Sequence, residues 1–336
     1  MKLADIAGNK RVVEYFQRAL TRGKLGHAYL FSGPGGVGKS TLAAVLCKTL
    51  LCKKADADGP CNTCVSCHKF DSGNHPDFHH FTADGLYFKI DQIRQIIHQA
   101  SLKPAESNWK TFLLEDVDYM RDEAANAFLK VLEEPPGQTI FFLICERSEG
   151  LLPTIRSRCQ IFEFQPLQPE EIKQWLIKKN NVSEQDAAYL SLSTHGSPGK
   201  ALSVNPEHYQ EMRDKVLVAL ETAILPKTYY TLVDAIRAIT VDRTEMVERL
   251  LILEELARDL ILLKSSSEAR LVHEDARKRL VPLVEHLDLR LLDDFYDKLL
   301  QVREAILKIN ANISLSLQSL LLPLKMRCDE RRSKTA

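Results

Sequence analysis

The stretch HAYLFSGPGGVGKSTLAAVLCKTL, residues 27–50, decides the fold of this chain. It begins with a short apolar run typical of a buried strand and ends in a pattern typical of a helix. Between the two, residues 33–40 match the phosphate-loop pattern G-x-x-x-x-G-K-[ST] in full. A strand, a glycine-rich turn and a helix in this order are the context that the pattern requires. A chance glycine-rich turn is the alternative, and the two flanking elements argue against it.

The residues of this loop have separate predicted roles in holding a nucleotide. Glycines let successive backbone N–H groups turn toward the phosphates, and the N-terminus of the following helix adds partial positive charge. Lys39 is predicted to reach the β- and γ-phosphates, and the Ser40 hydroxyl is predicted to ligate Mg²⁺. The predicted cofactor-binding residues are Gly33, Pro34, Gly35, Gly36, Val37, Gly38, Lys39, Ser40 and Thr41.

A pair of carboxylates follows a second apolar run, in TFLLEDVDYM at residues 111–120. Glu115 and Asp116 come directly after four largely apolar residues, and Asp118 lies two positions further on. In phosphate-loop proteins one such carboxylate holds Mg²⁺ and the next orients or deprotonates the attacking water. Glu115 and Asp116 are therefore predicted catalytic residues. The alternative is a polar strand end with acidic residues at the start of a helix.

The wider pattern predicts an α/β module with a parallel sheet, followed by helical domains. Strand-like and helix-like runs alternate through the first 165 residues, which favours a parallel sheet with helices on both faces. Near Pro166 the pattern changes to helix alone, with Gly196, Pro198 and Gly199 as later breakers. The predicted strands are His27–Phe31, Phe78–Phe81, Thr111–Leu114, Thr139–Ile144 and Cys159–Phe164, and the helices between them are Lys39–Leu51, Ile90–Ala100 and Arg121–Glu134. The predicted domains are residues 1–166, 167–204 and 205–336.

The end of the chain predicts one long helix and a loose tail. Apolar residues at helical spacing run from Leu289 to Leu322. The segment KMRCDERRSKTA after it is polar, so fraying is expected there.

Composition excludes several classes of protein. The 336 residues include 45 basic and 45 acidic side chains, and 45% of them are hydrophobic, as in ordinary globular proteins. A zero net charge argues against an independent, strongly basic nucleic-acid binder, although a local basic face stays possible. The longest apolar stretch, Leu250–Leu263, contains four charged residues, and residues 1–16 carry no signal-peptide core. A cytoplasmic protein without a membrane partner is expected.

Four of the eight cysteines lie close together and predict a metal site. Cys52, Cys61, Cys64 and Cys67 have the spacing C-x8-C-x2-C-x2-C. Four thiolates suit a closed, tetrahedral, structural Zn²⁺ site. A redox C-x2-C pair is the alternative, and four cysteines fit it poorly. His68 could compete as a ligand, whereas His75, His79 and His80 are expected to be structural.

Several longer segments resemble a known family, the bacterial clamp-loader ATPase subunits of the AAA+ class. The resemblance rests on the opening IAGNKRVVEYFQRAL, on the phosphate loop and on the cysteine insert. It also rests on EAANAFLKVLEEPP, LLPTIRSRCQIFEF and NANISLSLQSLLL, and so covers nearly the whole chain.

The resemblance implies an architecture, partners and one further residue role. It implies an AAA+ ATPase module (1–166) with a zinc-binding insert (52–67), a small helical lid domain (167–204) and an all-α collar domain (205–336). It implies ATP as the nucleotide, and other clamp-loader subunits (gamma/tau and delta) as partners in a hetero-pentamer of the DNA polymerase III holoenzyme. That assembly grips the sliding clamp and admits primer–template DNA. Ser157-Arg158-Cys159 matches the family's Ser-Arg-Cys motif, so Arg158 is expected to act on a neighbour's γ-phosphate as an arginine finger.

Departures from the family's motor subunits leave this chain's own ATP hydrolysis open. The motor's Asp-Glu pair appears here as Glu115-Asp116, and its threonine near the γ-phosphate is replaced near Cys145 or Glu146. Lys200 stands one position after the motor's lid arginine. These differences favour a subunit that holds nucleotide, hydrolyses it weakly or not at all, and activates its neighbour. A self-sufficient motor and an unrelated small-molecule kinase are the alternatives.

Overall fold

The computed structural model describes residues 1–83, 87–194, 196–203 and 205–335. It separates the chain into two units, Met1–Ser203 and Val204–Ala336, each with hydrophobic core residues of its own.

A five-stranded, all-parallel sheet forms the centre of the first unit. The strand order is β2–β3–β4–β1–β5, so β1 lies between β4 and β5. In this register Phe31 of β1 lies opposite Ile144 of β4 and Phe162 of β5. The strands are β1 (Ala28–Ser32), β2 (Phe78–Phe81), β3 (Lys110–Leu114), β4 (Thr139–Cys145) and β5 (Gln160–Glu163). The five predicted strands are confirmed to within two residues at each end.

Alternate side chains of these strands feed two separate cores, one on each face of the sheet. One core receives Leu30, Phe112 and Phe141 and packs against α4 (Ile90–Ser101) and α5 (Asp122–Glu133). The other receives Phe31 and Phe142 and packs against α1 (Lys10–Arg22) and α2 (Lys39–Leu51). The helices of this unit are α1 (Lys10–Arg22), α2 (Lys39–Leu51), α3 (Val65–Asp71), α4 (Ile90–Ser101), α5 (Asp122–Glu133), α6 (Pro153–Arg156), α7 (Pro169–Asn180), α8 (Glu184–Ser193) and α9 (Pro198–Ser203), with 3-10 turns at Leu3–Asp5, Val117–Tyr119 and Ser148–Gly150.

Burial of the sheet on both faces explains why its strands read as continuous apolar runs. Every residue of β1, β3 and β4 is buried. Because all strands are parallel, their carboxyl ends meet at one edge, where parallel sheets bind ligands. The loops that follow β1 and β3 leave the sheet at this edge, as does the end of β4.

The second unit is helical throughout its described residues. Apolar faces of its helices enclose one core that includes Leu220, Ile236, Leu253 and Leu299. Side-chain caps begin several of the helices: for example, Asn205 accepts the N–H of Glu207, and Asp288 accepts the N–H of Leu291. The helices are α10 (Pro206–Ile224), α11 (Tyr229–Ile239), α12 (Arg243–Ser265), α13 (Arg277–Val284), α14 (Leu289–Lys308) and α15 (Ile313–Thr335), with a 3-10 turn at Glu274–Ala276.

The prediction of one helix over Leu289–Leu322 is wrong, because the chain turns between α14 and α15. Asn310 has a φ of +59°, in the left-handed region that ends helices, and the N–H of Ala311 bonds back to the carbonyl of Ala305. Asn312 then starts α15 by accepting the N–H of Leu315. Apolar spacing continues across the break, and for this reason the periodicity concealed it.

The prediction of a frayed tail is also wrong. Helix α15 continues to Thr335, and the side chains of Lys325 and Cys328 are fully buried. Lys325 Nζ donates to the carbonyl of Leu225 at 3.2 Å, and Arg332 Nη2 donates to that of Ile224 at 2.9 Å. These carbonyls end α10, so the basic residues satisfy acceptors that the helix cannot.

The predicted fold class is confirmed: a parallel-sheet α/β module is followed by helices alone. The boundary predicted at residue 166 stays a prediction, since α7, α8 and α9 belong to the first unit. Among the described helices, none combines the length and the apolar character needed to cross a bilayer.

Candidate functional site

The phosphate loop connects β1 to α2 at the carboxyl edge of the sheet. Gly33, Gly36 and Gly38 have positive φ angles, and at Gly33 and Gly36 an added Cβ would also collide with neighbouring atoms. At Gly36 that atom would lie 2.1 Å from Ser197 Oγ. The loop therefore needs glycine for its backbone angles and for its close contact with the segment before α9. The N–H of Gly199 also donates to the carbonyl of Gly36 at 2.9 Å.

Lys39 begins α2 and is almost completely buried. Its Nζ donates to the carbonyls of Gly33 and Pro34 at 2.6 and 2.7 Å. Burial lowers the pKa of this ammonium group, and the nearby carboxylate of Glu146 opposes that shift. The amine is thus held at the mouth of the loop, where a phosphate could replace the two carbonyls as its partner.

Ser40, Glu115 and His80 form a hydrogen-bonded chain beside the loop. Ser40 Oγ donates to Glu115 Oε2 at 2.6 Å, and His80 Nε2 lies 2.9 Å from Glu115 Oε1. The hydrogen bond from His80 is the main cause that lowers the pKa of Glu115, with Ser40 contributing in the same direction. Glu115 is therefore ionised near neutral pH and has both of its oxygens engaged.

Asp116 follows Glu115 with a left-handed backbone, at a φ of +59°. Burial raises the pKa of its carboxyl, and the charges of Glu115, Asp118 and Glu146 add to this effect. Asp118 has a backbone partner instead: its Oδ2 accepts the N–H of Glu146 at 3.1 Å. Several acidic groups thus gather at the ends of β3 and β4, and the positive charge of Lys39 opposes their effect on the pKa of Asp116.

One cavity of about 280 Å³ brings most of the predicted nucleotide-binding residues together with Glu115 and Asp116. The predicted residues Gly33, Pro34 and Val37 are not among the residues that border it. At one end it is bordered by the phosphate loop with Lys39, Ser40, Glu115 and Asp116. Cys145 and Glu146 form part of its wall, and burial raises the pKa of the Cys145 thiol to about 12. The other end of the cavity is apolar, with Met1, Ile6, Ala7, Trp175 and Leu202.

The residues of this cavity fit a nucleotide and Mg²⁺. The loop leaves no room for side chains at Gly33 and Gly36, and α2 directs its N-terminus at the site. The apolar residues of the lining offer a surface for a base. A hydroxyl oxygen and two carboxylates are the hard oxygen donors that Mg²⁺ prefers.

Arg158 lies elsewhere in the first unit, on the turn between α6 and β5. Its guanidinium pairs with Glu133 at the end of α5 and donates to the carbonyl of Thr154 at 2.8 Å. It does not belong to the residues that border the cavity, as far as the described chain shows. The structure therefore separates Arg158 from Lys39, Ser40, Glu115 and Asp116.

The four clustered cysteines come together as predicted from their spacing. Cys52 directly follows α2, Cys64 directly precedes α3, and the four sulfur atoms all lie within 4.8 Å of one another. The Sγ of Cys52 is 3.4 Å from that of Cys61 and 3.9 Å from that of Cys64, and Cys61 and Cys67 are 3.9 Å apart. Four sulfurs bonded tetrahedrally to zinc at about 2.3 Å would lie about 3.8 Å apart. The sulfur positions therefore fit a tetrahedral metal ion.

Neighbouring groups act on these thiols in opposite directions. Burial raises the pKa of Cys67 to about 12 and also raises the pKa of Cys52. The N–H groups of Lys54 and Cys61 donate to Cys52 Sγ at 3.4 and 3.3 Å. Hydrogen bonds from Thr63 lower the pKa of the Cys61 thiol to about 5, which favours the thiolate that metals bind. Ser66 and His75 are both buried, and the hydrogen bond of 3.0 Å between Ser66 Oγ and His75 Nε2 connects α3 to the loop before β2. His75 is structural, as expected.

Sequence reasoning missed His80 and the apolar end of the cavity. The pattern predicts a structural role for His80, but its ring contacts Glu115, a residue 35 positions away. Trp175 lies on α7, and its Nε1 is 3.5 Å from the carbonyl of Asp5. No local pattern marks either residue, because both gain their positions from contacts between distant segments.

Two family descriptions and one full-length relative match this chain. Residues 8–168 match the family described as DNA polymerase III, delta subunit, and residues 208–325 match its C-terminal counterpart. The DNA polymerase III subunit delta′ of Bacillus subtilis is 31% identical over 306 residues, which is 90% of this chain and 92% of that protein.

The sequence match to a gamma subunit is shorter. The DNA polymerase III subunit gamma of Buchnera aphidicola is 34% identical over 204 residues, covering 59% of this chain and 56% of that protein. Among solved structures, a DNA polymerase III gamma subunit-related protein from Thermotoga maritima is 19% identical, with a TM-score of 0.44, and the match covers 94% of this chain and 99% of that one.

Proposed function

This chain belongs to the DNA polymerase III delta-prime subunit family, and on that basis we propose that it is a clamp-loader subunit which binds ATP and donates Arg158 to a neighbour. In this role it assembles with gamma/tau and delta subunits in a hetero-pentamer. The assembly loads the sliding clamp onto primer–template DNA during replication.

The observation that carries this proposal is the separation of Arg158 from the chain's own cavity. Lys39, Ser40, Glu115 and Asp116 border the cavity, whereas Arg158 lies on a different turn and pairs with Glu133. An arginine that serves the nucleotide of another subunit has to be absent from its own site. The geometry supports that division of roles.

The cavity supports ATP and Mg²⁺ as its ligands. Lys39 and the loop amides would hold the phosphates, and Ser40 and Glu115 would hold the metal. Mg²⁺, when bound, neutralises phosphate charge and orients the terminal phosphoryl group. Asp116 would face the attacking water.

Three features support slow hydrolysis by this chain itself. Asp116 is shorter than the glutamate of the motor subunits, and its carboxylate sits among like charges. Cys145 offers only a neutral thiol, which is a weak hydrogen-bond donor. Lys200, which stands one position after the lid arginine of the motor subunits, is exposed on α9. None of these features impairs the binding of phosphates by the loop.

Zinc is proposed as the ion held by Cys52, Cys61, Cys64 and Cys67. All four positions of the tetrahedron are occupied by protein sulfur, so the ion has no open coordination site for a substrate. Its proposed role is structural.

The second candidate is a gamma-like motor subunit that hydrolyses ATP itself. The complete phosphate loop and the contact between Ser40 and Glu115 favour it, as does the 34% identity to a gamma subunit over 204 residues. The two candidates differ in where Arg158 and Lys39 act.

The test is ATP turnover by the chain alone and in the complex reconstituted with motor subunits, delta, clamp and primed DNA. We expect negligible turnover alone. Arg158→Ala should cut turnover about 10³–10⁵-fold at the one neighbouring site that receives the arginine. Nucleotide binding by the variant chain should stay unchanged.

Arg147→Ala is the matched control, because Arg147 is exposed and is neither a residue that borders the cavity nor a partner of Arg158. It should leave turnover unchanged, whereas Lys39→Ala should abolish nucleotide binding by this chain. Robust turnover by the chain alone, abolished by Lys39→Ala, would instead establish the motor.

A further inference from the structure

Glu115 is held by two hydrogen bonds, one to each oxygen. Ser40 Oγ donates to Oε2 at 2.6 Å and His80 Nε2 contacts Oε1 at 2.9 Å. A carboxylate only accepts hydrogen bonds, so His80 has its proton on Nε2 and donates it. The terminal torsion of a glutamate side chain is broad, and one hydrogen bond alone would leave the carboxylate free to rotate. Two hydrogen bonds define its plane.

The ring of His80 is itself supported. His80 and Phe78 are two positions apart on β2 and therefore share one face of the strand. Their rings are stacked, with centroids 6.3 Å apart and planes at 19°. Phe78 packs in turn on Phe70 of α3, with centroids 4.3 Å apart. These contacts hold the ring in one orientation toward Glu115, although the His80 side chain is 44% exposed.

We propose that His80 is a positioning residue that orients Glu115 for the binding of Mg²⁺ together with the nucleotide. This inference rests on the proposed function, because it needs a nucleotide in the cavity. Mg²⁺ demands near-ideal octahedral geometry, so its affinity depends on the orientation of each carboxylate ligand.

Two measurements distinguish a positioning role of His80 from a purely structural one: the thermal midpoint and the Mg²⁺ requirement. A histidine that only stabilises the fold would change the thermal midpoint and would leave the Mg²⁺ requirement alone. A positioning histidine would do the reverse, because an exposed pair of this kind adds little to stability. Groups that orient metal ligands typically change metal affinity 10–100-fold when they are removed.

The test measures binding of a fluorescent ATP analogue to the full chain at increasing Mg²⁺ concentration and in EDTA. We expect His80→Ala to need about tenfold more Mg²⁺ than the wild type for the same gain in nucleotide affinity. Binding in EDTA and the thermal midpoint of the nucleotide-free protein should match the wild type. His80→Gln should recover most of the loss, because its amide N–H can replace Nε2–H as a donor.

His98→Ala is the control, since His98 is an exposed histidine on α4. It should behave as the wild type throughout. A wild-type Mg²⁺ titration in His80→Ala would overturn the inference and leave the proposed function intact. Failure of the wild-type chain to bind nucleotide in Mg²⁺ would contradict the proposed function, and this inference would fall with it.

Discussion

Asp116 has a left-handed backbone at the end of β3, with a φ of +59°. Non-glycine residues rarely adopt this conformation, and Asp and Asn tolerate it better than other residues because of their short polar side chains. Glutamate has no such advantage. The order Glu115-Asp116 therefore suits the backbone, since it places the short acid in the left-handed position and the longer acid within reach of Ser40 and His80.

His79 makes the first unit sensitive to acid. Its ring stacks on Phe112 with centroids 4.8 Å apart, and its buried Nε2 has no hydrogen-bond partner among the described residues. Burial is the main cause that lowers its pKa to about 4, from an ordinary value of 6.5. Between these two pH values the His79 ring binds a proton in the unfolded chain and stays neutral in the folded chain. Stability therefore falls as pH falls through this window.

We expect His79→Phe to flatten this pH dependence. The ring stack is kept and the titrating group is removed, so the variant should lose about 1–2 kcal/mol less stability than the wild type between pH 6.5 and pH 4, after allowance for partial exposure. The measurement is the urea midpoint across that range. His98→Phe, at an exposed position, should retain the wild-type slope. Parallel pH profiles of the wild type and His79→Phe would show that this ring does not carry the effect.

At the scale of elements, α2 connects the phosphate loop with the cysteine cluster. Lys39 begins this 13-residue helix, and Cys52 follows its last residue. A helix of that length spans about 20 Å, so the cysteine cluster lies far from the phosphate loop. Lys48, near the end of α2, binds Asp71 at 2.7 Å and Asn62 at 2.7 Å and so attaches the cysteine segment to the helix. The distance between the cysteine cluster and the phosphate loop supports a structural role for the proposed metal ion.

We expect the purified chain to contain one zinc ion, and Cys64→Ser to lose it. Cys64 is the residue before α3, where serine is a good helix cap, so the variant removes a ligand without weakening the helix start. Because structural zinc contributes several kcal/mol of folding free energy, the thermal midpoint should fall clearly. Metal analysis and thermal unfolding measure the two effects.

Cys328→Ala is the comparison variant, because Cys328 lies in the core of the second unit. It should retain the zinc ion whatever its own effect on stability. A wild-type chain that is free of metal and has the cysteines paired in disulfides would contradict the zinc site.

At the scale of the whole molecule, the cores form within the two units. Two cores enclose the sheet in Met1–Ser203, and a third, formed by helices alone, lies in Val204–Ala336. A unit with a core of its own can in principle fold alone. The second unit also carries buried charged residues with partners inside it, such as Asp259, which accepts the N–H groups of Val272 and His273.

We expect a fragment of residues 205–336 to fold independently. It should show helical circular dichroism, a cooperative thermal transition and little binding of the dye ANS. A fragment ending at Leu322 is the matched comparison, and it should be much less stable because it lacks Lys325, Cys328 and Arg332. A molten longer fragment, or equal stability of the two, would contradict this description of the core.

The sequence alone determined the elements of the sheet, the phosphate loop and the cysteine cluster. These features are local, because strands buried on both faces read as apolar runs, and a loop that holds phosphates needs glycines at fixed spacing. The cysteine spacing likewise brings three sulfurs together within one turn and returns the fourth from α2. The two strand-end carboxylates, Glu115 and Asp116, were also evident from their position after an apolar run.

Only the tertiary structure decided which side chains meet. His80 reaches Glu115, Arg158 pairs with Glu133, and Lys325 binds the end of α10, each across a long sequence separation. It also ended α14 at Lys308, before the left-handed Asn310, within an apolar pattern that continues past the break. Contacts of this kind depend on strand order and helix packing, and a periodic pattern read along the chain carries no information about which distant segments become neighbours.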